Sequence, residues 1–550
     1  MSSTELVNVQ IDGVWHQVAK GTKVIEACAQ AGKFIPRYCY HPRLTAPGNC
    51  RMCMVQLGMP RLGADRKPEL DADGRPVHNW IPRPQISCAQ DVSEGLGVRT
   101  DSDIVKEARR GVMEFLLINH PLDCPICDQA GECRLQEFAL DYGAGTARFA
   151  EEKTKKPKRV ELGPRVTLDA ERCVLCTRCI RFMREVAGDD CIGIVQRGGE
   201  NAIACHDGRK LESNYSLNTV DICPVGALTS TDFRFKMRTW FLKETKSICT
   251  SCATGCNVTI AARENIVYRQ TPRENAAVNQ SWMCDYGRLY LHGLHGRGRL
   301  MEPSGGDKVS FNALPRGDAR RAATQGEGAP CPDAWDATIA DAVKVLSDSK
   351  PEQIAVIASG RLTNEEMFLA AQLIQKLGVT HCDIIPHEDA ADNFLLSADR
   401  NPNTAGAKRF GLVTGRLADI EKAVQRGEVK TMLVLGEDVP ALAEKCKALI
   451  VIGALPNATT AAATHVLPGL AFAEKRGTMI NKSHRLQRLQ RAVAAPGLAR
   501  DDWEILAALL EGVGGPRYAT FEAVHAAAFP GLTFDAIGDL GIPLQEGAHE

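Results

Sequence analysis

Eighteen of the chain's 21 cysteines lie before residue 285, while the last 266 residues hold only Cys331, Cys382 and Cys446. No other feature restricts the possible folds so strongly. Cysteines this dense either cross-link a chain or bind metal. A disulfide framework suits a small secreted domain. The opening MSSTELVNVQIDG has no charged leader, apolar core or twin-arginine pair, so no export signal is expected. Metal binding is the better reading for a long chain of this kind.

Spacing sorts the cysteines into four sets. Cys39, Cys50, Cys53 and Cys88 read C-x10-C-x2-C with a distant fourth thiol. The close pair and far partner match plant-type [2Fe–2S] ferredoxins, with a longer first loop. Zinc is the alternative there, and the neighbouring His41 is read as incidental. In HPLDCPICDQAGEC, His120 stands four residues before Cys124, and Cys127 and Cys133 follow. Taken alone, three thiols and one imidazole are equally a zinc set or a cluster set. Cys173, Cys176 and Cys179, closed by Cys223-Pro224, form C-x2-C-x2-C with a remote Cys-Pro, the bacterial [4Fe–4S] signature. No second such motif precedes Cys223, so one cluster fits rather than two. Cys249, Cys252 and Cys256, with Cys284 28 residues on, fit a further [4Fe–4S] site, with zinc again a rival. Cys28, Cys191 and Cys205 lack ligand spacing and are expected as buried thiols. Fifteen cysteines and one histidine thus fall into four groups of four. One ferredoxin signature makes iron–sulfur the simpler reading for the rest, and several clusters in one chain imply a conductor of electrons.

Net charge is −1, which argues against nucleic acid as the main partner. The one basic run, EEKTKKPKR (151–159), is read as a solvated linker. The longest apolar run, ALIVIGAL (448–455), falls well short of the roughly 18 residues of a membrane span, so any membrane attachment is expected through partners.

The chain opens as a hairpin. Val7, Val9 and Ile11 alternate, Asp12-Gly13 turns, and Val14 and Val18 return. A helix over TKVIEACAQAG follows, stopped by Gly32. Hairpin, helix and cysteine loop are the order of a β-grasp ferredoxin. Residues 58–86 look like an inserted surface loop. Residues 101–120 have helical spacing through Ile104, Val105, Ala108, Val112, Phe115 and Leu116, with His120 at the helix end. Residues 304–333 read as a flexible connection. From about 335, short apolar runs alternate with helical patterns, the βαβ signature of a parallel sheet. No glycine-rich phosphate fingerprint occurs.

The segments PRYCYHPRL, GNCRMCMV, HPLDCPICDQAGECRLQ, CVLCTRCIRF and DICPVGAL resemble, in this order, the ligand segments of the large iron–sulfur subunit of respiratory complex I. The resemblance spans residues 1 to about 300. It implies a multidomain α+β and α/β fold. The expected parts are a β-grasp [2Fe–2S] ferredoxin domain (1–100), a histidine-ligated [4Fe–4S] segment (101–150), a ferredoxin-like [4Fe–4S] domain (151–240) and an additional [4Fe–4S] segment (241–300). Residues 301–550, with EKRGTMINKSHRLQ, are similar to a shortened molybdopterin-oxidoreductase domain. No molybdenum is expected there, since none of its cysteines has a Cys-His context. The resemblance further implies one [2Fe–2S] cluster, two to three [4Fe–4S] clusters and no catalytic side chain. The implied partners are a flavin/NADH-binding subunit, a ferredoxin-like [4Fe–4S] subunit leading to quinone, and other peripheral-arm subunits. The implied location is the cytoplasmic side of a bacterial inner membrane. Electrons would enter at the Cys39 set, pass to the Cys173 set and leave from the His120 set. The second nitrogen of the His120 ring should find an acceptor. Rival readings are the iron–sulfur/molybdopterin subunit of an NAD-linked formate dehydrogenase, the diaphorase subunit of a soluble hydrogenase, and a zinc-binding scaffold.

Overall fold

The β-branched alternation at the N-terminus folds as its period dictates. Strand Leu6–Ile11 pairs antiparallel with Val14–Ala19, and Asp12 and Gly13 supply the two positive-φ turn positions. Helix Val24–Gln30 lays Val24, Ile25 and Cys28 on the sheet, and Gly32 ends it at φ 74°. Leu6–Ile11 is also parallel to Leu96–Arg99, which pairs antiparallel with Met54–Pro60. The result is a six-stranded β-grasp sheet.

This computed structural model describes residues 5–295, 298–305 and 333–545. Cys331 and most of the expected 304–333 connection lie outside them. The chain divides into two compact units, Met1–Trp240 and Phe241–Glu550.

Three expectations in the first unit need correction. The 58–86 insertion is not a bare loop. Its ends are strand, with Gly58 paired to Trp80 and Met54 to Ile86, and only the middle is an exposed excursion. The second helix runs Asp103–Leu117 and stops short of His120. Pro121 disfavours the helical conformation at the residue before it. Its buried face is Val105, Arg109 and Met113, while Phe115 is 77% exposed. Arg109 is drawn inward because its guanidinium donates to Met54 O at 2.9 Å. Finally, the basic run is not a solvated linker. Lys153 Nζ donates to Leu117 O and Ile118 O at 2.8 and 2.7 Å, satisfying carbonyls at the C-terminus of the second helix. Lys156 donates to Asn201 O, and Lys158 pairs with Asp123 and Glu171.

This unit also holds a three-stranded sheet (Val160–Glu161, Val166–Leu168, Leu228–Ser230), the hairpin of Ile192–Val195 with Ala202–Cys205, and helices Arg134–Tyr142 and Arg178–Glu185.

The second unit begins with the antiparallel sheet Lys243–Ile248, Asn257–Arg263, Ile266–Pro272. Its main body is a parallel sheet, in the order His465–Pro468, Ala448–Gly453, Thr431–Leu435, Ile354–Ala358, His381–Ile384, with the antiparallel edge strand Ser304–Gly305. Strand residues are buried on both faces. Val356, Leu433 and Ile450 meet one helical layer, and Ile357, Val434 and Val451 meet the other. This is why the strands read as continuous apolar runs. Helix Asn364–Leu377 starts with a Thr363–Glu366 capping box and ends at Gly378, φ 65°.

Candidate metal centres

The first set is assembled by strand pairing. Cys53 immediately precedes Met54–Pro60, and Gln85–Ile86 pairs beside it. Ser87 then clamps Cys53 O through its amide at 3.2 Å and its hydroxyl at 2.7 Å. That brings Cys88 beside Cys53 despite the long intervening segment. Hydrogen bonds from Cys50 and Cys88, and the backbone N–H groups of Cys50 and Asn49, hold the Cys39 thiol far below its ordinary value. All four thiols therefore converge.

In the second set, Cys124 opens a single turn with Pro125 behind it, and Cys133 caps helix Arg134–Tyr142. Burial pushes Cys127 and Cys133 up, and the three thiols lie within electrostatic reach of one another. His120 shares the Asp123 and Arg172 surroundings of Cys127. Burial, assisted by Arg172, Lys153 and Lys158 and opposed by Asp123, lowers its pKa to about 4. The ring is thus neutral, as a metal ligand must be. The expected acceptor for its second nitrogen is absent among the described residues. Sequence reading also missed the supporting network. Arg172 Nη2 meets Asp123 Oδ2 at 2.7 Å, and Lys158 bonds the same oxygen at 3.1 Å.

The third set lines a small hollow, walled otherwise mostly by apolar groups such as Leu168, Ile203 and Val225. Leu175 and Thr177 take positive φ (52° and 61°), an arrangement that turns amides inward. Leu175 N donates to Cys173 Sγ at 3.4 Å, and the amides of Leu228, Val225 and Ala227 stabilise the Cys223 thiolate. Burial still raises Cys173, Cys176 and Cys223 to about 11.

The fourth set, in the second unit, is wholly buried. Cys249 N donates to Cys256 O at 2.8 Å, and Cys284 Sγ accepts from Gly287 N at 3.3 Å. A Cβ at Gly287 would stand 2.9 Å from Cys249 Sγ.

These sets fit cluster ligation. Buried thiols with raised pKa become thiolates only where a positive group offsets the charge. One zinc would hold its sulfurs at about 2.3 Å. The third set bounds a hollow instead. Cys28, Cys191 and Cys382 are buried and Cys205 and Cys446 half-buried, all outside the four sets.

In the first unit the sets lie close together. Gly226, three residues after Cys223, lies so close to Cys127 that a Cβ would approach its sulfur to 2.3 Å. Pro224 O accepts from Arg134 N at 3.2 Å, beside Cys133. Tyr38, fully buried, lies within electrostatic reach of Cys50 and Cys133.

The fold and thiol sets define an iron–sulfur protein with a 2Fe–2S ferredoxin domain, 4Fe–4S domains and a molybdopterin-oxidoreductase domain. Residues 4–103 match the model of a 2Fe–2S iron–sulfur cluster binding domain. Residues 109–148 match the NADH-ubiquinone oxidoreductase-G iron–sulfur binding region, and 163–229 the NADH-quinone oxidoreductase subunit 3 ferredoxin-like domain. Residues 242–293 match the molybdopterin oxidoreductase Fe4S4 domain, and 388–512 molybdopterin oxidoreductase itself. Within that class, the chain is a homologue of the bacterial NADH-quinone oxidoreductase-G and mitochondrial 75 kDa proteins. It is 40% identical to the NADH-quinone oxidoreductase-G protein of Rickettsia felis, over 68% of this chain and 49% of that protein. It is 39% identical to NADH dehydrogenase [ubiquinone] iron-sulfur protein 1, mitochondrial, of Solanum tuberosum (77% and 52%). It is 34% identical to NADH-quinone oxidoreductase subunit 3 of Thermus thermophilus (69% and 47%). The chain spans about half the length of these relatives. They do not favour the formate dehydrogenase alternative.

Proposed function

We propose that this chain is the electron-transfer subunit of an NADH–quinone oxidoreductase, relaying electrons from a flavin/NADH-binding subunit toward a ferredoxin-like [4Fe–4S] subunit and quinone. The ligands are Cys39, Cys50, Cys53 and Cys88 for [2Fe–2S], with His120, Cys124, Cys127 and Cys133 for one [4Fe–4S]. Cys173, Cys176, Cys179 and Cys223 take a second, and Cys249, Cys252, Cys256 and Cys284 an additional one. Clusters held there would supply one-electron carriers. The chain's residues bury them, space them and supply amide donors to their sulfurs; none acts as acid, base or nucleophile.

The observation that carries this reading is the closeness of three thiol sets in one unit. Such proximity serves conduction and is not needed by three independent structural metals. Among the described residues, no helix is long and apolar enough to cross a membrane. Peripheral attachment through partner subunits, on the cytoplasmic face of a bacterial membrane, is part of the proposal. Metal analysis of the anaerobically purified chain, freed of its neighbours, tests it. About 14 irons per chain, with EPR signals of both cluster types, are expected when all sites are filled. Zinc as the main metal would sink the reading.

A further inference from the structure

Two arginines of CTRCIRF are not ligands, yet they occupy the ground between the first and third thiol sets. Arg181 is buried. Its Nη2 donates to Cys39 O at 2.6 Å and Cys176 O at 3.3 Å, and its Nη1 to Thr45 O at 2.5 Å. Its Nε reaches Thr177 Oγ1 at 3.2 Å. Arg178 donates through Nη2 to Tyr40 O at 2.5 Å and through Nη1 to Ile222 O at 3.1 Å, next to Cys223. Its Nε is buried and has no partner among the described residues. A single side chain thus ties a carbonyl of the Cys39 loop to one of the Cys173 loop, and its neighbour repeats the bridge.

All of these acceptors are neutral. Glu185, at the end of the same helix, is taken by Thr45 N at 2.9 Å and by the Thr45 hydroxyl. Neither arginine has a carboxylate partner among the described residues. A buried cation without a counter-ion is costly, and proteins do not keep one without compensation. Here Arg181 is buried and Arg178, half-buried, stands beside it. The groups in reach that become negative on cluster ligation are thiols: Cys176, Cys223 and Cys39 each bear on Arg178, and both arginines bear on Cys176.

We propose that Arg178 and Arg181 are positioning residues for electron transfer, a cationic bridge whose counter-ions are the thiolate-ligated clusters of the Cys39 and Cys173 sets. The inference rests on the cluster reading above. Each guanidinium lowers the cost of adding an electron at either site, because it attracts the more negative, reduced form. An electron leaving the first site for the third stays beside the same cations. With clusters bound, that transfer would oxidise the first site and reduce the third, with no proton or covalent bond moved. The carbonyl hydrogen bonds fix the spacing while this happens.

The test uses the full chain purified with its neighbouring subunits. Arg178→Met and Arg181→Met remove the charge, and Arg178→Lys and Arg181→Lys keep it. EPR-monitored redox titration follows the [2Fe–2S] and [4Fe–4S] signals separately. Each Met variant is expected to lower the one-electron reduction equilibrium of both sites about tenfold, or about 59 mV. The Lys variants should stay much closer to the parent. Met variants that lose a cluster that the Lys variants retain would equally support a charge role. Unchanged potentials in Met variants with intact clusters would overturn it. So would equal shifts, or equal cluster loss, in Lys and Met variants, since shape rather than charge would then be responsible. Absence of both signals from the unaltered protein is a separate result, the failure of the cluster reading itself.

Discussion

His120 shows how one residue type changes a site. Imidazole is neutral where thiolate is negative, so one histidine with three cysteines carries one negative charge fewer than four cysteines. Histidine ligation raises the potential of Rieske centres by the same logic. His120→Cys should therefore keep a cluster but lower its potential, read by redox titration in the assembled complex. His120→Ala should lose the cluster or open an iron to water. NADH-to-quinone turnover would then fall more than NADH oxidation by an artificial acceptor. An unchanged potential in His120→Cys would mean that the three cysteines find their fourth ligand elsewhere. Gly226 is a second single-residue test. Its missing Cβ leaves room for Cys127 Sγ. Gly226→Ala should displace that sulfur and cost about four irons per chain, the content of one tetranuclear site. Full iron content with an unaltered EPR spectrum would show that the loop yields without disturbing the thiol.

At the scale of elements, the helix Asp103–Leu117 depends on a residue 36 positions from its last carbonyl. Lys153 satisfies Leu117 O and Ile118 O. Lys153→Met should destabilise the last turn by about 1 kcal/mol, seen as faster amide exchange at Glu114–Ile118 and not in the first turn. Uniform exchange along the helix would contradict the cap. Helix Asn364–Leu377 has the opposite problem, polar residues at its start with nowhere to meet water. Glu366 accepts from Thr363 N at 2.8 Å and from Lys475 Nζ at 2.9 Å, and Lys475 also reaches Asp502 at 3.3 Å. One cation faces two carboxylates. Burial, aided by Asp502, outweighs the attraction of Lys475 and lifts Glu366 from 4.5 to about 7. The two carboxylates outweigh burial at Lys475, which is held above its ordinary range. The folded state thus binds the Glu366 proton more tightly than the unfolded state. The stability this adds is fully present below about pH 4.5 and is lost as pH rises through about 7. Exchange at Asn364–Leu377, corrected for its intrinsic pH dependence, should report that loss, and Glu366→Gln should abolish the slope. An equal slope in Glu366→Gln would assign it to another group.

At the scale of the molecule, the second unit is built around that buried triad as much as around its sheet. Lys475→Met leaves two carboxylates buried without a cation and should cost about 3–5 kcal/mol. Denaturant unfolding of the full chain should then show the second unit melting earlier while the first keeps its midpoint. Simultaneous loss of both would mean that the two units unfold as one. The first unit is organised differently: three thiol sets lie close together, so a change at one set should be felt at its neighbour. The Cys223–Gly226 segment carries a thiol of one set and packs against another.

The grouping of the thiols, the β-grasp hairpin and the parallel-sheet strands were legible in the sequence because each is a local pattern. Cys173, Cys176 and Cys179 lie within one turn-and-helix, Val7, Val9 and Ile11 within one strand, and the run ALIVIGAL needs no partner to declare itself apolar. Folding decided what depends on distant partners. Lys153, Lys156 and Lys158 looked like a solvated charge run because their acceptors, Leu117, Asn201 and Asp123, lie 35 to 45 residues away. Asn364, Glu365 and Glu366 are buried because Thr478, Lys475 and His525, more than 100 residues on, receive them. The hydrogen bond from Arg181 to Cys39 O spans 142 residues of chain. A charged side chain in sequence carries no sign of whether water or a buried carbonyl will satisfy it. Only the tertiary structure makes that choice, since desolvation is set by the groups that pack around the charge and not by its neighbours along the chain.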